Sequence, residues 1–337
     1  TYCMRYWLSL HPDIKRPIGG VKQMHRLAEA IQCCGHEAFL IQESATFHPG
    51  WFQSSVKTIS LTEWKLLRDN KLDPKKNVLI MPETFLSAVN NYAGNLPVVI
   101  FNQNGSYSFG LPGSKVFARP EYIVNKYHGP NIVHVLCVSL YDHSLLVNDF
   151  SLGNDNVSCI RNGIERHCMP FGSKRRQIAY MPRKNKLDAF AVVGLLKSQE
   201  WMQNWELVEI SGLSHNQVVD VFRQSILFLS FGHPEGFGLP VAEALACGCA
   251  VIGYSGLGGR ELFQLAKKFD VATEVPFGDW SAFIKAIRHY DLLIQKDVPA
   301  FSKSLLSSSK LIRNLYSQDK MIWSVRLALE RIEKAIL

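Results

Sequence analysis

Short apolar runs and helix-periodic stretches alternate along nearly the whole chain, and this rhythm leaves few folds open. Asn77 to Met81, Pro97 to Phe101 and Ile132 to Val138 are apolar runs bounded by turn residues. Strands buried on both faces of a parallel sheet look like this. Tyr2 to Leu10 reads as a first strand and Ala38 to Ile41 as the start of a second. Between them Val21, Met24, Leu27, Ala28, Ile31 and Cys34 recur at helical spacing, and Gly35 closes that helix as a C′ residue. The second half repeats the pattern. Gln177 to Met181, Glu206 to Ile210, Ile226 to Ser230 and Cys249 to Tyr254 read as strands. Asp188 to Lys197, Gln217 to Gln224 and Leu239 to Ala246 read as helices between them. Such alternation predicts α/β architecture, with parallel sheets covered by helices on both faces.

A chain of 337 residues is long enough for about two such domains. The rhythm lapses into polar, turn-rich and basic sequence between about residues 155 and 176, which places the crossover there. The expected division is 1–155 and 156–319, with a last amphipathic helix at 320–337, expected to pack back on the first domain, carrying Ile322, Val325, Leu327, Leu329, Ile332 and Ile336. No apolar stretch approaches the ~18 residues that span a bilayer, and no charged-then-apolar leader of the secretory kind opens the chain. Net charge is +8. The basic residues are spread out apart from Lys174-Arg175-Arg176 and Arg183-Lys184-Asn185-Lys186. That spread speaks against a nucleic-acid stripe and for a solvated surface with phosphate-bearing partners. None of the eight cysteines forms a CxxC pair and no His cluster accompanies them. Reduced, mostly buried thiols in a cytoplasmic protein are expected, without a metal site.

The segment from Phe228 to Leu262 holds the chemistry. A buried strand runs into a loop with Gly236 and Gly238, Pro240 sits early in the next helix, Gly248 ends it, and another buried strand follows. Ligands of open α/β sheets bind beyond the carboxyl ends of the strands. Glycines there expose backbone N–H groups, and the helix adds its positive end, which suits a phosphate. Gly256-Leu257-Gly258-Gly259 repeats the arrangement one strand later, so two such loops are expected to hold a diphosphate. Glu235 and Glu243 frame the site. A carboxylate accepts two vicinal hydroxyls from a sugar or a ribose. Taken singly, Glu235 is also a polar loop residue and Glu243 a helix-start acid.

Spaced as E-x7-E within Pro-Glu-Gly-Phe-Gly-Leu-Pro-Val-Ala-Glu-Ala, this segment resembles the donor-site motif of family 4 retaining glycosyltransferases. Gly19-Gly20 before a helix, Arg161-Asn162-Gly163-Ile164 at the crossover and the terminal helix resemble further parts of that family. The resemblance implies a GT-B fold, two Rossmann-like domains facing a central cleft, and metal-independent transfer of a hexosyl-type sugar from a nucleoside diphosphate to an acceptor hydroxyl with retention. It assigns Glu235 to the transferred sugar and Glu243 to the ribose. Backbone N–H groups of Gly236, Phe237, Gly238 and Leu239, with Gly19 and Gly20, fall to the sugar or diphosphate, and Gly212 and Leu213 to the base. Arg183 and Lys184 would neutralise the leaving diphosphate, with Lys186 competing for the lysine role. Where many members carry a histidine, this chain reads Phe101-Asn102-Gln103-Asn104. Gln103, Asn104, His128 and His11 are therefore the acceptor-side candidates. No cofactor is implied beyond the nucleotide-sugar donor. The acceptor would be a sugar or a lipid-linked sugar, in polysaccharide or glycoconjugate biosynthesis, with peripheral contact at the membrane and no nucleic-acid partner. The rivals are a catalytically degenerate nucleotide-sugar-binding subunit and a GT-B nucleotide-sugar epimerase.

Overall fold

The apolar runs become strands of two all-parallel sheets in the computed structural model of the chain, which describes every residue except Thr1, Tyr2, His11, Lys71 and Pro112. The chain divides into two units, Thr1–Asn162 with Asp319–Leu337, and Gly163–Gln318. The first unit holds β1 (Arg5–Ser9), β2 (Glu37–Gln42), β3 (Thr58–Ser60), β4 (Asn77–Pro82), β5 (Val98–Phe101), β6 (Ile132–Cys137) and β7 (Val157–Cys159), ordered β3-β2-β1-β4-β5-β6-β7. Leu79, Met81, Val98 and Ile100 pack into one cluster with Trp7, Trp64, Ile123 and Tyr127. Their neighbours Val78, Ile80 and Val99 alternate to the other face and are completely buried as well. Burial on both faces is what removed any polar alternation from these runs.

In the second unit β8 (Arg175–Met181), β9 (Glu206–Glu209), β10 (Ser225–Ser230), β11 (Ala250–Gly253) and β12 (Ala272–Glu274) are ordered β12-β11-β10-β8-β9. The chain leaves β8 toward β9 on one side and returns to β10 on the other. The order therefore reverses between β8 and β10, which opens a crevice at their carboxyl ends. The corresponding reversal in the first unit lies between β1 and β4.

Two of the boundaries near the crossover differ from the sequence reading. Val157–Cys159 pairs in parallel with β6, so the first sheet continues into the stretch read as crossover. Three residues with a central serine are too short to show a run. The terminal helix begins at Gln318 and is tied to this unit: the Arg161 N–H donates to Ser324 Oγ at 2.9 Å, and Arg331 donates to the Val157 carbonyl at 3.0 Å.

Buried histidines make the first unit acid-sensitive. Burial, reinforced by His48 and Arg26, drives His25 from 6.5 down to about 4. Burial, reinforced by Arg331, does the same to His134. A depressed folded-state value means that the stabilising contribution is complete above pH ~6.5 and is lost as pH falls toward 4, by up to about 3 kcal/mol for each histidine. Glu83 acts with the opposite sign. Burial is the largest cause raising it from 4.5 to about 7, so its contribution is complete below ~4.5 and fades as pH rises through 7. Urea unfolding at pH 4.5 and 7 should therefore show a smaller acid loss in His25→Phe than in the unaltered chain. An equal loss in both would remove His25 from the account.

Candidate functional site

The crevice between β8 and β10 is lined by Met181, Arg183, Lys184, Glu235, Gly238 and Ser255, among others. From β10 the chain passes through residues 231–238 into the helix Leu239–Ala246. Gly238 caps that helix with φ +88°, a left-handed conformation that an L side chain rarely adopts, and Pro240 occupies its first turn. The first-turn amides have no acceptor within the helix and carry its positive end.

Glu235 is held by the loop after β11. Its N–H donates to the Gly256 carbonyl at 2.8 Å, and its carbonyl accepts from the Gly258 N–H at 3.1 Å. The approach is so close that a Cβ on Gly258 would lie 2.1 Å from the Gly236 oxygen, and one on Gly256 would lie 2.5 Å from Glu235 Cβ. This corrects the expectation of two side-by-side phosphate loops. The second glycine loop turns its amides inward: Leu257 donates to Ser255 Oγ at 3.2 Å and Gly259 to the Ser255 carbonyl at 3.0 Å. Its glycines are there to let it brace the Glu235 loop.

Lys184 Nζ lies 3.0 Å from Glu235 Oε2 and donates to the Pro234 carbonyl at 2.7 Å. Asn185, which the sequence reading passed over, donates to the carbonyls of Phe231 and His233 at 2.6 and 3.1 Å. The turn after β8 thus clamps the turn after β10. Lys186, on the exposed first turn of the helix Lys186–Lys197, does not line the crevice, whereas Arg183 and Lys184 do. His233 stacks on Phe277 at 4.1 Å between ring centres. Burial and then Lys184 lower its pKa, opposed by Glu235.

Glu243 is buried on the same helix, and its Oε1 pairs with His215 Nε2 at 3.0 Å. His215 opens the helix His215–Gln224, directly after the turn that contains Gly212, with φ +66°, and Leu213. The residues expected to touch a base and a ribose therefore share one end of the sheet. His215 gave no signal of its own, being one of eleven histidines. Phe237 turns its ring inward onto Tyr316 at 5.1 Å, so only its backbone is available to a ligand.

In the first unit, Gly19 and Gly20 open the helix Gly19–Cys33 after β1, and Gln103 Nε2 donates to the Gly20 carbonyl at 3.0 Å. Glu83, buried after β4, accepts from the Gln103 N–H at 3.2 Å. These residues gather at the carboxyl ends of β1, β4 and β5. Asn104 accepts from the Ser106 N–H at 3.1 Å and caps a short helical turn, so its side chain is spent on the loop. His128 does not belong with them. It ends the helix Pro120–Tyr127, pairs with the Phe150 carbonyl at 2.9 Å and precedes β6, at the amino end of that strand. His11 lies outside the described residues.

Residues 192–291 match the family model for glycosyl transferases group 1. An alpha-1,6-glucosyltransferase of Actinobacillus pleuropneumoniae serotype 7 (strain AP76) is 40% identical over 83 residues, a segment that spans 24% of this chain and 24% of that protein. Among solved structures, a glycosyltransferase from Rickettsia africae ESF-5 superposes with a TM-score of 0.70 at 14% identity, covering 99% of both chains. HepE from Anabaena, solved in complex with UDP-glucose, gives 0.66 at 11% identity over 97% of this chain and 99% of that one. At such identities the likeness establishes the fold. Two parallel-sheet α/β domains of the GT-B type are present, as the sequence implied. Among the described residues, no helix is long and apolar enough to cross a membrane.

Proposed function

We propose that the chain is a retaining, family 4-type glycosyltransferase that moves a hexosyl unit from a nucleoside diphosphate to an acceptor hydroxyl. The observation that carries this reading is the pairing of two differently placed carboxylates at one switch point. Glu235 lies in the crevice against Lys184, and Glu243 is buried beside the turn Gly212–Leu213. The segment matched to glycosyl transferases group 1 contains both acids.

These placements support the following division of labour. Glu243, with His215 behind it, accepts the ribose hydroxyls. Amides of residues 236–239 and the helix end hold the diphosphate. Arg183, whose planar fork suits phosphate oxygens, and Lys184 offset the charge that grows on the leaving group. Glu235 faces the sugar and stabilises positive charge at the anomeric carbon. The leaving phosphate takes the acceptor's proton as attack comes from its own face, which retains configuration. The cationic work falls to the two basic side chains, so no metal is needed at the diphosphate. Gly19, Gly20 and Gln103 are assigned to the sugar and acceptor side. The name of the Actinobacillus relative and the UDP-glucose on HepE favour a glucosyl donor as the first to try. A lipid-linked acceptor met at the membrane surface, in polysaccharide assembly, suits the net charge of +8.

Nucleoside diphosphate release from UDP-, GDP-, dTDP- and ADP-sugars, with and without candidate acceptors, tests the activity. Release that depends on an acceptor supports transfer. Release of a rearranged sugar without any acceptor would replace it with epimerisation.

A further inference from the structure

Among the described residues, one cluster of metal-ligating side chains borders the proposed donor site through His215. His167, Cys168 and His215 bring one ligating atom each to within 4.8 Å of one another. Cys168 is completely buried, His215 is half-buried, and His167 is the more exposed of the two histidines. The sequence hides this group, because 46 residues separate Cys168 from His215 and the usual ligand spacings are absent.

The fold holds the two strands of chain together by a second contact. Arg223, on the helix that His215 opens, donates to the His167 carbonyl at 2.5 Å and to the Met169 carbonyl at 3.2 Å. The same guanidinium lies over the Phe171 ring at 5.6 Å. Residues 215 and 223 are eight apart and so share one helix face. That face presents His215 at one end and anchors the 167–171 segment at the other. The two imidazole rings meet edge to face at 5.2 Å.

We propose that His167, Cys168 and His215 form a binding site for a zinc-type divalent cation, with a fourth position left for water. One thiolate and two imidazoles are a borderline-soft donor set, which suits zinc and its cobalt substitute. The surroundings of His215 support the assignment. Its Nε2 is engaged by Glu243 at 3.0 Å, so Nδ1 is the nitrogen for the metal. A metal-bound histidine whose other N–H is held by a carboxylate is the usual supporting arrangement, since it fixes the tautomer and raises ligand basicity. The cation would thereby fix the side chain that orients Glu243. The consequence for donor affinity rests on the ribose role given to Glu243 above, whereas metal binding itself does not.

Cobalt(II) titration of the reduced 337-residue chain without nucleotide reads the site directly. One equivalent should bind with a thiolate-to-cobalt charge-transfer band, and zinc should displace it. The band should vanish in Cys168→Ser and in His167→Ala. The second substitution is in a partly exposed turn and guards against misfolding of the first. Glu243→Gln should keep the band and weaken the affinity about 10–100-fold. A band unchanged in both ligand variants would place the metal on other cysteines, and no band in the unaltered chain would remove the site. Either result overturns this proposal and leaves the donor reading as it stands.

Discussion

Glu235→Ala should lower kcat by about 100–1,000-fold, while donor affinity changes only a few-fold. The magnitude is that of removing one preorganised charge aimed at the reacting centre. The carboxylate is preorganised here by two means. Its backbone is fixed on both sides by Gly256 and Gly258, and one oxygen is held by Lys184 at 3.0 Å. A charge fixed in this way reorganises little as the anomeric carbon becomes positive. Alanine keeps the backbone brace and removes the charge, so donor binding through Glu243 and the helix end should persist. Nucleoside diphosphate release at saturating donor and acceptor, followed by donor titration of the variant, separates the two effects. Transfer undiminished in Glu235→Ala would remove this residue from the mechanism. A loss confined to KM would make it a binding group only.

Gly258→Ala should be among the most damaging single methyl groups in the second unit. The added carbon would lie 2.1 Å from the Gly236 oxygen and 2.3 Å from the Glu235 oxygen. Both obstacles are backbone, and they cannot rotate away as a side chain tip can. The loop must move or the brace must break, at a cost of about 3 kcal/mol for overpacking of this kind. For a unit of this size that corresponds to a melting transition lower by roughly 6–12 °C. Activity should fall further than stability, because Glu235 is carried on the displaced loop. Gly212→Ala provides the contrast, since nothing lies within 4 Å of its added carbon and only its positive φ resists. Equal melting points for Gly258→Ala and the unaltered chain would show that the two loops are not packed as described.

The fold was largely legible because burial on both faces writes strands as unbroken apolar runs. Leu239–Ala246 was read with its bounds intact, since Pro240 and Gly248 punctuate both ends. Thr58–Ser60, Val157–Cys159 and Ala272–Glu274 are edge pieces three residues long, with too few side chains to show a pattern in sequence. At the site, the glycines and the two acids stood out, yet their purposes had to come from the fold. Gly256 and Gly258 look like phosphate-loop glycines in sequence, and only their distances to Glu235 and Gly236 show them to be bracing positions. Asn185, His215 and the His167–Cys168 pair act through partners 28 to 48 residues away, and pairings of that range leave no local trace. A histidine near Gly-Pro is compatible with either end of a strand, so sequence alone does not place His128. Chain direction alone decides, and it places His128 ahead of β6.

The proposed function requires the crevice beyond β8 and β10 to bind a nucleoside-diphosphate sugar through Glu243. Thermal stabilisation against a panel of UDP-, GDP-, dTDP- and ADP-sugars, for the unaltered chain and for Glu243→Ala, tests it most directly. A donor at about 100 times its dissociation constant adds ~2.7 kcal/mol to the bound state. A shift of that order from one nucleotide class, lost or strongly reduced in Glu243→Ala, is the expected result. No shift from any donor, or a shift that Glu243→Ala leaves unchanged, would contradict it.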